Sequence, residues 1–401
     1  MRVFAVLATV ILLAGCSFTD EPHVDPPAEL PARVQEVVRT DNAFGLQLFN
    51  ELVQGEEGNV FMSPTSVSFA LGMTANGANG QTYDEMVSVL RKGSLNPEEV
   101  NSSYRDLASF LETLDPVVRL RIANSIWYRN GYPVRSEFLD TNREYFAAEV
   151  AEADFNDPAT VDRINGWVDE KTEGLIDKVI EQIDGSVVMY LINAIYFKGT
   201  WLYEFDPNET REASFANADG TTAQVPMMAQ QADLPAFRHA NYTAVDLPYG
   251  DSLYSMTVVL PEPGFTTDDV LAELQADDVA AWTTELSPTD VILSMPRFKV
   301  EYKESLVPML KSMGMEAAFA PGSADFTRLV EGGGPWIDDV IHQAVLDVNE
   351  EGTEAAAVTT VIIVESAGSG PLRVTLDRPF LLFIRERISG SVLFMGRIAQ
   401  L

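Results

Sequence analysis

Three histidines, His23, His239 and His342, and one cysteine, Cys16, are the whole stock of imidazole and thiol in this chain. No Gly-x-Ser-x-Gly elbow accompanies them, no Cys/His cluster offers metal ligands, and no Gly-rich loop precedes a lysine in the phosphate-binding pattern. Carboxylates are so abundant, 60 Asp and Glu against 27 Lys and Arg, that an acid–base pair could be drawn anywhere and singles out nothing. The chain therefore does not read as an enzyme, and it offers no evident place for a cofactor or a metal. What stands out is Glu350 to Ser366, an acidic pair and a glycine followed by small and β-branched residues.

A strand with alternating character, Val340 to Val348, precedes this stretch, and a glycine-rich break, Ala367 to Gly370, follows it. From Thr353 onward, alternation places Thr353, Ala355, Ala357, Thr359, Val361 and Ile363 on one face and Glu354, Ala356, Val358, Thr360, Ile362 and Val364 on the other. The first face carries no charge. It can be buried in the middle of a sheet while Glu354 points at solvent. Val340 to Val364 is thus one long β-competent run interrupted by a small-residue hinge at Glu350, Glu351 and Gly352.

Such a hinge, a variable loop and the closing run Arg378 to Ile398 together resemble the carboxyl-terminal part of a serpin. The rest of the chain agrees. Asn59 to Pro64 with Ser66, Ala70, Leu71 and Met73, then Gly77 to Thr82 with Glu85 and Met86, resemble the family's early helices and the turn between them. Asn193 to Trp201, with Phe205, Thr210 and Phe215 beyond, resembles its central signature. The resemblance runs from about Ala32 to Leu401. It implies an α+β fold with helices packed around a large central sheet, smaller sheets, and an exposed reactive-centre loop over about residues 350–376.

The function implied is that of a suicide inhibitor of serine proteases. A target serine would attack the loop as substrate and form an acyl-enzyme; the freed hinge would then enter the main sheet as a new strand. Gly352 permits the sharp backbone change, and Thr353, Ala355 and Ala357 would enter without bulky or charged side chains, while Val358 replaces a common alanine of the pattern. Counting from Glu350 as the family counts places the cut at Ser366/Ala367, or at Glu365/Ser366 in a loop one residue shorter; counting back from Pro379 points near Gly368. With no Lys or Arg between Val340 and Leu372, elastase-like or subtilisin-like targets are expected, a glutamate-preferring one fits the second register, and papain-like cysteine proteases stay open. By resemblance, Ser63, Ser66, Asn193 and His342 form a polar cluster under the sheet where it opens, Trp201 lies beneath the loop's entry point, and Arg297 faces Glu350. The competing reading is a non-inhibitory serpin, a ligand carrier or chaperone whose loop is cut as a plain substrate.

At the amino terminus, Arg2 and the apolar run Val3 to Ala14 are too short for a membrane span and read as a secretory signal. Its ending, Leu13-Ala14-Gly15-Cys16, resembles a lipobox, so Cys16 is expected to be lipidated after removal of residues 1–15. Residues 16–31, with Pro22, Pro26, Pro27 and Pro31 among acids, read as an extended tether, leaving residues 32–401 as one domain. The expected place is lipid-anchored at the cell surface, the outer membrane or the periplasmic face. A single cysteine allows no disulfide within the chain. The formal net charge of -33 argues against nucleic acid and against heparin-like activators, and a monomer is expected.

The periodicity predicts one or two helices over Ala32–Leu52, helices at Ser66–Asn76, Thr82–Leu90 and Val161–Lys171, and a strand at Leu120–Tyr128. Val187–Phe197, apolar on both faces, predicts a fully covered central strand. Ala244–Leu247, Tyr254–Leu260 and Val291–Tyr302 predict strands, with helical breaks at Thr267–Gln275 and Lys303–Met313. No internal repeat is visible. Helices early and strands late suit an α+β domain whose halves share sheets.

Overall fold

Ser63 and Pro64 begin the helix that backs the main sheet. The Ser63 side chain caps it by accepting from the Ser66 amide at 3.1 Å, and Pro64 occupies the first helical turn, where its missing donor costs nothing. The helix, Pro64–Ala75, is buried nearly all round because it packs between the strands Met189–Thr200 and Val392–Ile398 of two different sheets. In the computed structural model the described residues are 30–332, 334–353 and 370–401, and Pro31–Leu401 forms one compact unit. The amino-terminal apolar spacing resolves into a single helix, Ala32–Gly55, which buries Val34, Val37, Val38, Phe44, Leu48 and Leu52.

Among the described residues two sheets share the strands. One has nine strands; the other has six, in the order Phe298–Ser305, Ile341–Val348, Gly352–Thr353, Met189–Thr200, Arg119–Arg129 and Glu149–Ala153. The amino-terminal strand Val60–Met62 pairs with the carboxyl-terminal Val392–Ile398 in the nine-stranded sheet, so the two ends of the unit meet in one layer. In the same sheet Leu372–Thr375 lies parallel to Val291–Ser294.

Three sequence expectations need correction. Val291–Tyr302 is two strands, Ser287–Pro296 and Phe298–Ser305, in different sheets. Pro296 has no amide to continue a ladder, the Arg297 amide turns aside to the Pro226 carbonyl, and the alternation of buried residues shifts by one at the corner, from Val291, Leu293 and Met295 to Phe298, Val300 and Tyr302. Val187–Phe197 corresponds to Met189–Thr200 and is not fully covered, since Met189 to Asn193 are only half-buried where they border a cleft. The helix expected over Lys303–Met313 is Val307–Ser312, and Lys303 to Ser305 belong to the preceding strand. The 17-residue strand Thr222–Arg238, with prolines at 226 and 235, had no sequence counterpart. Proline is uncommon inside strands, which hid it.

Candidate functional site

The site is the parting line of the six-stranded sheet. Its near half consists of Glu149–Ala153, Arg119–Arg129 and Met189–Thr200, its far half of Ile341–Val348 and Phe298–Ser305. At one end the two-residue strand Gly352–Thr353 joins them, pairing with Val348 on the far side and with Gly199 and Thr200 on the near side. Below this entry, among the described residues, neither Met189–Lys198 nor Ile341–Asp347 has a strand partner on the edge that faces the other half.

The hinge turn is built from residues whose types suit it. The Asn349 carbonyl-type Oδ1 accepts from the amides of Glu351 at 3.1 Å and Gly352 at 3.3 Å, a side-chain turn typical of Asn. Gly352 has φ +154°, and a Cβ placed there would lie 2.1 Å from the Gly199 oxygen. Only glycine fits that approach. Gly199 is equally confined, since its Cβ would meet the Tyr249 ring at 2.8 Å. Thr353 is 4 % exposed and its Oγ1 lies 2.7 Å from the Tyr249 hydroxyl. Burial pushes the Tyr249 phenol far above its ordinary range, so it remains a neutral partner.

Trp201 lies under this turn. Its indole donates to the Asn349 carbonyl at 3.0 Å and stacks on Tyr249 with centroids 4.4 Å apart. The Trp201 and Phe205 amides donate to the carbonyls of Glu351 and Glu350, each at 2.9 Å. Arg297 pairs with Glu350 at 3.6 Å; the carboxylate side is buried while the guanidinium is half-exposed. Thr210 also donates to Glu350 Oε1, at 2.8 Å. The sequence reading paired Glu350 with Arg297 alone and named neither Tyr249 nor Asn349. Asn349 before an acidic-glycine pair carries a turn signal that could have found it, whereas Tyr249 carries none until the fold brings it near.

Deeper along the parting line, His342 is buried, and burial pushes its imidazole down to about 4. At neutral pH it is uncharged, and its Nε2 accepts the Ser63 amide proton at 3.1 Å. Ser63 thus joins His342 on the strand to Ser66 on the helix. Asn193 stands apart from that chain of bonds. Its Nδ2 donates to Asn124 Oδ1 at 2.8 Å, and Asn124 in turn donates to the Phe146 carbonyl at 2.7 Å. Ser66, Asn193, Gln343 and His342 all line a cleft of about 580 Å³ between the halves. Asn193 Oδ1 and Gln343 Oε1 are buried there without a hydrogen-bond partner among the described residues.

Cys16, the hinge residues Glu354, Ala355, Ala356, Ala357 and Val358, and the candidate cut residues Glu365, Ser366 and Ala367 lie outside the described residues. Among the described residues no three His, Cys, Asp or Glu side chains gather as metal ligands, and no helix is long and apolar enough to cross a membrane.

The family model described as Serpin (serine protease inhibitor) matches residues 39–401. Iripin-8 from Ixodes ricinus is 34% identical over 378 residues, covering 91% of this chain and 94% of its own. The crystal structure of the thermophilic serpin tengpin in its native state superposes with a TM-score of 0.82 at 31% identity, over 93% of this chain and 95% of that one. Human thyroxine-binding globulin, solved with its ligand, gives the same TM-score at 28% identity, over 92% of this chain and 99% of that one.

Proposed function

The chain belongs to the serpin family, a family of serine protease inhibitors, and from that premise we propose that it is an irreversible suicide-substrate inhibitor of elastase-like or subtilisin-like endopeptidases. The observation that carries this reading is Gly352–Thr353, a stub of strand already seated between Val348 and Gly199 at the head of a parting line. A protease serine attacks the scissile carbonyl of the loop near Glu365, Ser366 and Ala367. Its oxygen forms the ester, and the new amine leaves on the carboxyl-terminal fragment. The freed hinge then extends the stub downward, carrying the acylated protease with it.

Magnitudes allow this. About ten new ladder hydrogen bonds at a net ~0.5–1.5 kcal/mol each amount to roughly 5–15 kcal/mol, as much as the stability of a whole domain. The buried face begins with Thr353, which already sits against Tyr249, so the first step of insertion needs no desolvation of charge. Attachment through a lipidated Cys16 and the acidic, proline-rich residues 16–31 would hold the inhibitor at a membrane face, as a monomer without nucleic-acid or heparin-like partners. The charge of -33 supports that last part.

A second reading is favoured by the cleft and by the likeness to thyroxine-binding globulin: a carrier whose loop is merely cut. One experiment separates the two. The full-length chain is mixed with elastase and with subtilisin, and the products are run on a denaturing gel. A covalent band containing both proteins supports inhibition, and sequencing the released fragment fixes the cut. Cleavage with neither a covalent band nor a gain in heat resistance supports the carrier.

A further inference from the structure

Four asparagines in the chain are followed by glycine, at positions 76, 79, 130 and 165. Glycine has no Cβ to shield its amide nitrogen, so in each pair that nitrogen can attack the asparagine side-chain carbon and close a ring. The fold treats the four very differently. Asn165 is buried in the helix Ala159–Lys171 and makes three hydrogen bonds, accepting from the amides of Val179 at 2.9 Å and Ile180 at 3.0 Å and donating to the Ile180 carbonyl at 2.8 Å. Asn76 also makes three, donating to Asn101 and Asn142, each at 3.2 Å, and accepting from Asn101 at 2.9 Å. Asn79 makes one, to Thr327 Oγ1 at 3.2 Å, and Gly80 after it opens the helix Gly80–Val89.

Asn130 is the exception. It is exposed in the turn after the strand Arg119–Arg129, and among the described residues its side chain makes no hydrogen bond. Gly131 holds φ +73°, a left-handed conformation that suits glycine, and its amide donates to Glu152 Oε1 at 2.7 Å. A carboxylate thus sits on the one proton that ring closure must remove. The turn also joins distant segments. Asn130 donates its own amide to the Ala153 carbonyl at 2.9 Å, Arg135 donates to the Leu329 carbonyl at 2.8 Å, and Val134 bridges to Val330. Residues 130–135 therefore tie the near-half strands to the segment that leads into the far-half strand Ile341–Val348.

We propose that Asn130 is a self-modification site of the folded chain, with Glu152 as the base. The Gly131 amide proton passes to the Glu152 carboxylate, the freed nitrogen bonds to Asn130 Cγ, and the side-chain nitrogen leaves as ammonia, taking that proton with it. Water then opens the ring at either carbonyl. The product is aspartate at position 130 or its isomer, in which the main chain runs through the side-chain carbon. The isomer lengthens by one atom a turn that ties both halves of the six-stranded sheet, and so loosens it. This inference is independent of the inhibitory reading. Each side-chain hydrogen bond that has to break first slows the reaction by up to about tenfold, which ranks Asn79 second and Asn76 and Asn165 last.

The test holds the full-length chain at neutral pH for weeks and follows all four pairs by peptide mapping, which reads the mass change from amide to acid and the separate elution of the isomer. Conversion at Asn130 is expected to run about tenfold ahead of Asn79. In urea the four rates should converge, because the fold no longer distinguishes the pairs. Glu152→Gln keeps an oxygen to accept the Gly131 amide but removes the base, and should slow conversion at Asn130 by about tenfold or more. Asn130→Gln should keep the heat resistance that the parent loses on ageing. The proposal is overturned if another pair leads, if the same lead for Asn130 persists in urea, if Glu152→Gln converts at the parent rate, or if Asn130→Gln loses heat resistance as fast as the parent.

Discussion

The two ends of the parting line differ in how completely they are satisfied. At the entry end, Thr353 is bonded to Tyr249, Glu350 to Thr210 and Arg297, and the Asn349 turn to Trp201, all over a stacked aromatic floor. Deeper down, His342 and Ser63 are bonded to each other, but Asn193 Oδ1 and Gln343 Oε1 are buried without partners among the described residues, and a cleft separates the strands. The molecule is closed where the hinge begins and, among the described residues, leaves strand edges unpaired beside a cleft where the hinge would go.

The sharpest way to break this contrast is to block the entry end. Thr353→Arg should abolish trapping while leaving loop cleavage intact, because an arginine cannot be buried against Tyr249 without losing its solvation. A denaturing gel reads both outcomes at once. Gly352→Ala comes next. Its Cβ would collide with the Gly199 carbonyl, so the hinge should be expelled from the sheet, with a loss of roughly 1–3 kcal/mol in the native form's resistance to urea.

The deeper end is tested by pH. His342 titrates near 4 in the fold against about 6.5 when unfolded, so the unfolded chain binds the extra proton first. Its contribution is complete above about pH 6.5 and is lost as pH falls toward 4. Between pH 7 and pH 5 the native form should lose about 2 kcal/mol through this group. His342→Gln should lack that part of the pH dependence in urea titrations. The smallest expected effect is Arg297→Ala, about 0.5–1 kcal/mol, since its guanidinium is half-exposed and Thr210 still holds Glu350.

The α+β class was legible because it rests on local pattern, helical spacing early and alternation late; of the expected hinge only Glu350 to Thr353 fall among the described residues. The pair Arg297–Glu350 and the floor residue Trp201 were legible through resemblance. Tyr249, Thr210 and Gly199 were not named as hinge partners, because what makes them so is the meeting of segments far apart in the chain. The sheet change at Pro296–Phe298 is marked by a one-residue shift in the alternation, from Val291, Leu293 and Met295 to Phe298, Val300 and Tyr302, which reading Val291–Tyr302 as one strand passed over. The partial exposure of Met189 to Asn193 was hidden for a different reason. Apolar residues on both faces mark a strand that can be covered, and here the cleft along the parting line leaves these residues half-buried.

Unfolding temperature before and after loop cleavage tests the central claim, that the hinge is poised to complete the sheet. The full-length chain is cut by a protease it does not trap, and both forms are heated under the same conditions. The expected result is a rise of at least about 10 °C in the cleaved form, from the new strand's hydrogen bonds. An unchanged unfolding temperature would contradict the account, because the hinge would then have been freed and the parting line left open.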